Sequence, residues 1–185
     1  RTGVIIMKLK TLTVLTSAAL LGLSQPVFAD ETLEVDIHRV SADGIGKTIG
    51  HVTIREHQYG VLLQPELKGL SPGLHGFHLH ENPECSPASK DGKRTAAAAA
   101  GGHYDPGDTG QHLGPFETDG HHGDLPALFV DQDGSATQPE LAPNLSVGDF
   151  ADRALVIHEG GDTYSDEPSL GGGGERIACG VVTID

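Results

Sequence analysis

Residues 73–81 have the sequence GLHGFHLHE, and this stretch is the most informative part of the chain. In an extended strand, residues two apart point to the same face, so His78 and His80 share one face while Phe77 and Leu79 share the other. The pattern predicts a strand that packs its apolar side chains into a core and presents two imidazoles to one metal ion. Taken alone, two alternating histidines are equally typical of a half-exposed strand with solvated side chains.

Further metal-ligand residue types follow in a loop rich in glycine and proline. They are His103, His112, His121 and Asp124. Three imidazoles and one carboxylate form a closed four-ligand set, which suits tetrahedral zinc. Imidazole also binds copper, and an all-nitrogen set favours tetragonal Cu(II). Few apolar residues lie between residues 90 and 123, so a bound metal explains an ordered loop better than hydrophobic burial does.

Three further motifs accompany this stretch: GGHYDP at residues 101–106, HHGD at residues 121–124 and RIACGV at residues 176–181. Together they closely resemble the copper–zinc superoxide dismutase family, in particular its exported bacterial branch. The resemblance extends from about Leu33 to Ile184. It implies an enzyme that disproportionates superoxide to dioxygen and hydrogen peroxide and that binds one copper and one zinc per chain.

The resemblance also implies which residues hold each metal. The implied copper ligands are His78, His80, His103 and His158. The implied zinc ligands are His103, His112, His121 and Asp124. In this scheme His103 is an imidazolate that bridges both ions. Because His121 adjoins His122, the spacing to Asp124 leaves open which of these two histidines binds.

Two downstream residues acquire roles from the same resemblance. Asp162 is expected to hydrogen-bond His78 on the copper side and His112 on the zinc side, which fixes both rings. Arg176 is expected to lie over the copper and dock the superoxide anion, so Arg176 and His103 are the implied catalytic residues. From spacing alone, Asp162 is an ordinary turn residue and Arg176 is an exposed arginine paired with a neighbouring carboxylate.

The first 29 residues have the features of a leader. A basic start at residues 7–10, a short apolar stretch at residues 12–23 and small residues before Asp30 are typical of a secretory signal peptide. Residues 1–6 precede a plausible start at Met7 and resemble upstream sequence. We expect cleavage after Ala29, one mature domain over residues 30–185 without a membrane span, and a periplasmic location.

Cysteine usage and charge agree with export. The chain has two cysteines, Cys85 and Cys179, and an even count in an exported chain predicts one disulfide. Of its 12 basic residues, three precede residue 30, whereas all 26 acidic residues lie within residues 30–185, so the mature part carries a formal charge of −17. This charge argues against nucleic acid as a partner, and an anionic substrate requires positive potential near the site. Monomer and homodimer both remain open.

Eight short segments with strand patterns are separated by turn signals such as DQDG at residues 131–134. They cover residues 33–37, 51–54, 61–63, 75–81, 127–130, 136–138, 154–158 and 177–184. No long segment has a helical period. Pattern and resemblance together predict an all-β fold, an eight-stranded antiparallel Greek-key sandwich or flattened barrel with long metal-binding and electrostatic loops. The glycine run at residues 171–174 suggests a hinge.

Three alternatives to a copper–zinc superoxide dismutase fit part of this residue pattern. A copper or zinc storage protein would bind metal without turnover, but the methionine expected of an exported copper carrier occurs only at Met7. A zinc hydrolase needs an open zinc position and a general base, whereas the predicted zinc set is closed. A copper-only relative would lack the loop from His103 to Asp124, which is present.

Overall fold

The computed structural model describes Gly3, residues 32–90 and residues 92–183. Apart from Gly3, the predicted leader and its cleavage site lie outside the described residues. Twelve strands are described: β1 Thr32–Ser41, β2 Gly44–His57, β3 Gly60–Lys68, β4 Gly73–His75, β5 Phe77–His80, β6 Ala88–Lys90, β7 Lys93–Thr95, β8 Leu128–Val130, β9 Ser135–Ala136, β10 Glu140–Ala142, β11 Arg153–His158 and β12 Arg176–Val182. Short 3-10 helices span Ala98–Ala100, Val147–Phe150 and Ser169–Gly172.

One antiparallel sheet dominates the architecture. Its strands follow the order β10-β3-β2-β1-β12-β11-β5, with β9 paired to β3, and the sheet curls into a half-barrel. Two smaller pairs, β4 with β8 and β6 with β7, lie outside it. The predicted all-β antiparallel fold is confirmed. The sequence analysis missed β6, β7 and β10, three-residue strands whose polar residues leave no apolar alternation.

Alternation along the early strands places the core inside the curl. In β1, Val35 and Ile37 are buried, whereas Glu34 and Asp36, which alternate with them, are exposed. The same period continues in β2 and β3, whose buried aliphatic residues join one hydrophobic cluster with Phe77, Leu79, Leu155 and Ile157. Among the residues described, none of the helices has the length and apolar character that a membrane crossing requires.

Strand β11 brings His158 close to His78 and His80, the two histidines of β5. It lies between β5 and β12, with Phe77 opposite Ile157 and His78 opposite Val156. Its residues 154–157 are fully buried, because Leu155 and Ile157 pack in the main hydrophobic cluster while Ala154 and Val156 pack on the other face with Cys85 and Cys179. The strand ends at His158, whose backbone N–H donates to the carbonyl of Gly76 at 2.8 Å.

The predicted disulfide between Cys85 and Cys179 is confirmed. The two Cα atoms are 5.8 Å apart and the residues are separated by 94 positions in the chain. Both residues are buried in a small cluster with Ala97, Ala100 and neighbouring aliphatic side chains. The bridge therefore attaches the loop after β5 to the centre of β12.

Candidate metal centre

Strand β5 is buried on both faces. Phe77 and Leu79 belong to the hydrophobic core, and His78 and His80 are also fully buried. Loops cover the histidine face, because His80 Nδ1 bonds the carbonyl of Gly101 at 3.1 Å and His78 bonds Asp162. The two imidazoles therefore face an enclosed site and not bulk water.

A first cluster contains every residue predicted to hold copper. Its potential ligand atoms all lie within 4.8 Å of one another and come from His78, His80, His103 and His158. Three of its nitrogens, His78 Nδ1, His80 Nε2 and His158 Nε2, are buried without a hydrogen-bond partner. An unsatisfied buried polar atom typically costs about 1–3 kcal/mol. Several such nitrogens facing one point fit a metal ion, since ligation satisfies all of them together.

The remaining nitrogens of these rings are already engaged. His80 Nδ1 contacts Gly101 O, His158 Nδ1 contacts the carbonyl of Gly174 at 3.3 Å, and His78 Nε2 contacts Asp162 Oδ2 at 2.7 Å. Such contacts fix the tautomer and the orientation of a ligating imidazole, and they are characteristic of metal-binding histidines.

A second cluster surrounds the buried carboxylate of Asp124. His103 Nδ1 lies 2.9 Å from Oδ1, His112 Nδ1 lies 2.9 Å from Oδ2, and His121 Nδ1 lies 3.4 Å from Oδ1. The Nδ1 atoms of His112 and His121 have no well-formed hydrogen bond. These four residues are the ones predicted to hold zinc, and His103 belongs to both clusters.

Proximity alone also groups His78 with His103, His112 and Asp124. His78 is a poor fourth member of that group, because its Nε2 bonds Asp162 and its Nδ1 belongs to the first cluster.

His121 brings an unpaired nitrogen towards Asp124. His122, the alternative to His121, is half-buried and its ring faces Tyr104, with 6.2 Å between the ring centroids. The structure thus brings His121, and not His122, to Asp124.

Asp162 connects the two clusters. Its fully buried carboxylate accepts from His78 Nε2 through Oδ2 and from His112 Nε2 through Oδ1, each at 2.7 Å. Gly171 packs so closely that a Cβ there would lie 2.0 Å from Asp162 Oδ1, and its φ is +69°. Within the glycine run, Gly171 is therefore packed against the site, which a side chain at this position would disrupt, whereas Gly172 and Gly174 are exposed.

Arg176 lies beside His103 in a surface depression of about 300 Å³. Its guanidinium donates to the carbonyls of Ala97 and Gly101, each at 2.7 Å. Within the described part of the chain, no carboxylate forms an ion pair with it, so the alternative of a paired surface arginine is not realised. The two carbonyls hold the guanidinium in place without neutralising its charge.

Burial sets the protonation states of the first cluster. It lowers the pKa of His103 to about 3 and those of His80 and His158 well below their usual range. These rings are therefore neutral near pH 7, which is the form that binds metals. Burial also disfavours the protonated ring of His112, but the carboxylates of Asp124 and Asp162 favour that form more strongly and raise its pKa to about 9. Metal binding at His112 Nδ1 must therefore displace a proton.

The sequence analysis missed Tyr164, whose backbone N–H donates to Asp162 Oδ1 at 2.8 Å. A tyrosine in a polar loop gives no pattern that marks it. His75 has a structural role, because its buried ring contacts His158 O at 2.7 Å and Ser71 O at 2.8 Å.

Comparison with known proteins adds independent information. Residues 48–182 match the family model for copper/zinc superoxide dismutase. The chain is 51% identical over 174 residues to superoxide dismutase (Cu-Zn) 1 of Salmonella typhimurium, covering 93% of this chain and 97% of that protein. It is 52% identical over 169 residues to superoxide dismutase (Cu-Zn) of Escherichia coli K12, covering 90% and 97%.

Two solved structures are similar as well. The Cu/Zn superoxide dismutase from Brucella abortus superposes with a TM-score of 0.80 at 49% identity, covering 82% of this chain and 99% of that one. The monomeric copper, zinc superoxide dismutase from Salmonella enterica gives a TM-score of 0.74 at 53% identity, covering 83% and 100%.

Proposed function

This chain belongs to the copper/zinc superoxide dismutase family, and on that premise we propose that its two histidine clusters form the active site. The protein is an oxidoreductase that converts superoxide and protons to dioxygen and hydrogen peroxide, with copper and zinc as cofactors. One observation carries the assignment of residues. Five buried imidazole nitrogens lack hydrogen-bond partners, three facing one point and two facing Asp124.

We assign copper to the first cluster, which comprises His78, His80, His103 and His158. Zinc is assigned to His103, His112, His121 and Asp124. The donor sets support this division, because four nitrogens suit copper and three nitrogens with one carboxylate suit zinc. When bound, copper supplies the one-electron chemistry of the reaction and zinc supplies a fixed positive charge.

His103 is the residue placed to handle a proton. Its Nδ1 faces Asp124, so Nε2 points to the first cluster, and the ring lies 3.9 Å from that of His78 between centroids. We propose that Nε2 takes up a proton and releases it during each cycle. Burial favours the neutral ring of His103, so the release of the proton from Nε2 is favourable.

Asp162 and Arg176 complete the proposed machinery. Asp162 holds the rings of His78 and His112 in fixed orientations through its two oxygens. Arg176 provides a positive charge in the depression beside His103, where a small anion can approach. In a chain with a net charge of −14, such local positive charge is required to bind superoxide.

The relatives come from Gram-negative bacteria, and we propose a periplasmic location for this chain. The leader pattern of residues 1–29 and the Cys85–Cys179 disulfide support export to an oxidising compartment. Intact mass of the exported protein tests this proposal, because it should begin at Asp30. The Salmonella relative of known structure is monomeric, which favours a monomer over a homodimer.

Metal analysis of the purified mature protein, together with a superoxide-decay assay, tests the site. We expect one copper and one zinc per chain. His121→Ala should abolish stoichiometric zinc, and the matched control His122→Ala should retain it. The opposite result would exchange the two assignments, and two zinc ions without any copper uptake after supplementation would exclude the proposed site.

A further inference from the structure

Tyr164 occupies a backbone conformation that tyrosine seldom adopts. Its φ is +53°, in the left-handed region where a Cβ approaches the following carbonyl oxygen. Glycine, asparagine and aspartate are the residues usually found there. A bulky residue remains in this region only where surrounding contacts fix it, and such positions concentrate near functional sites.

The contacts that fix Tyr164 come from three separate segments. Its backbone N–H donates to Asp162 Oδ1 at 2.8 Å, and its hydroxyl accepts from the backbone N–H of Ala127 at 2.8 Å. Its ring covers Gly114, where a Cβ would lie only 2.7 Å from Tyr164 Cγ. Gly114 in turn donates its N–H to Asp124 Oδ2 at 3.2 Å.

We propose that Tyr164 is a positioning residue for the zinc half of the metal centre. Among the described residues its hydrogen bonds go to Asp162 and Ala127 and not to a ligand assigned above, so it acts through the groups that hold the ligands. Its backbone orients the Asp162 oxygen that accepts from His112, and its ring and hydroxyl fix the chain at Gly114 and Ala127, on either side of Asp124. This inference rests on the proposed function.

The hydrogen bonds of Asp162 predict which metal is affected more. Asp162 Oδ1 bonds both Tyr164 N and His112 Nε2, whereas the other oxygen, Oδ2, bonds His78. The Tyr164 backbone thus meets the Asp162 oxygen on the zinc side, and its ring and hydroxyl contact Gly114 and Ala127, which flank Asp124. Removing the side chain should therefore disturb the zinc side first. Zinc affinity should fall more than copper affinity, although one carboxylate serves both clusters.

Two substitutions separate the contributions of the side chain. Tyr164→Asn keeps a residue that tolerates the left-handed backbone but removes the ring and the hydroxyl. Tyr164→Phe removes only the acceptor for the N–H of Ala127. The matched control is Tyr59→Asn, because Tyr59 is 66% exposed in the turn between β2 and β3.

Zinc and copper affinities of the metal-free mature protein are measured by competition with a chromophoric chelator. The visible spectrum of Co²⁺ bound in place of zinc reports the ligand geometry. We expect zinc affinity to fall about 10-fold to 100-fold in Tyr164→Asn, the range for residues that orient metal ligands, and less in Tyr164→Phe. The cobalt spectrum should shift in Tyr164→Asn, and Tyr59→Asn should match the wild type.

Asp162→Ala serves as the reference, since it removes the oxygen through which Tyr164 acts. If Asp162→Ala weakens zinc binding but Tyr164→Asn leaves the affinity and the cobalt spectrum unchanged, the inference is wrong and the proposed function stands. A lower melting temperature with unchanged zinc affinity likewise overturns it. If the wild-type protein binds no zinc, the proposed function itself fails. If Tyr164→Asn does not fold, the zinc affinity and cobalt spectrum of Tyr164→Phe test the inference in its place.

Discussion

Removing the disulfide should destabilise the folded protein by about 4–5 kcal/mol. The double substitution Cys85→Ala/Cys179→Ala releases a loop closed over 94 residues. In the chain-entropy model, a loop of this length restricts the unfolded chain by roughly 4.7 kcal/mol at 25 °C. Loss of two buried sulfur atoms from the cluster with Ala97 and Ala100 adds a smaller packing term.

Urea unfolding of the metal-loaded mature protein, followed by far-ultraviolet circular dichroism, measures this difference. Wild type treated with a strong reductant is the matched control and should lose a similar free energy of unfolding. A loss below about 1 kcal/mol in both samples would refute the loop-entropy reasoning. A large loss in the variant alone would instead assign the effect to packing around Ala97 and Ala100.

Three further predictions follow from the site. Arg176→Glu should strongly lower superoxide decay per bound copper with unchanged metal content, and near-wild-type activity at both low and raised ionic strength would contradict its role. Chelation of both metals should lower the melting temperature, because metal binding stabilises the folded state; an unchanged value would argue against a metal-ordered loop. In metal-free protein, His103 has a pKa of about 3 when folded and an ordinary value of about 6.5 when unfolded. Burial also lowers the pKa values of His78, His80 and His158. The stabilisation from these neutral rings is therefore complete above pH 6.5 and lost as pH falls, by up to about 1.4 kcal/mol per pH unit for each ring, and urea unfolding at pH 7 and pH 5 tests this.

The sequence predicts best what local periodicity controls. Alternation around Phe77 indicates a core face and a ligand face, and the apolar run before His158 predicts a buried strand that ends at the site. Some residues acquire their role only when segments distant in the chain come together, and the local sequence does not indicate such a role. Asp162 bonds residues 78 and 112, a convergence that only the fold creates. By spacing alone it is a turn residue, and only the family resemblance identified its role.

Other features were missed for a different physical reason. The close approach of Gly171 to Asp162 requires the absence of a side chain, and a run of glycines in the sequence does not distinguish close packing from flexibility. Tyr164 contradicts local backbone preference, so propensity gave no indication of its conformation. In both cases tertiary contacts, and not the local sequence, determine the structure.

The pairing of β5 with β11 also bears on the order of folding. Strands β1, β2 and β3 pair through short turns, whereas Phe77 must find Ile157 across the whole metal-binding loop. Contacts between residues so distant in the chain carry a high loop-closure entropy and form slowly. We therefore expect the four histidines of the first cluster to converge late in folding. Metal that meets the chain earlier would encounter ligands in non-native combinations, so we expect correct loading to follow closure of the sheet.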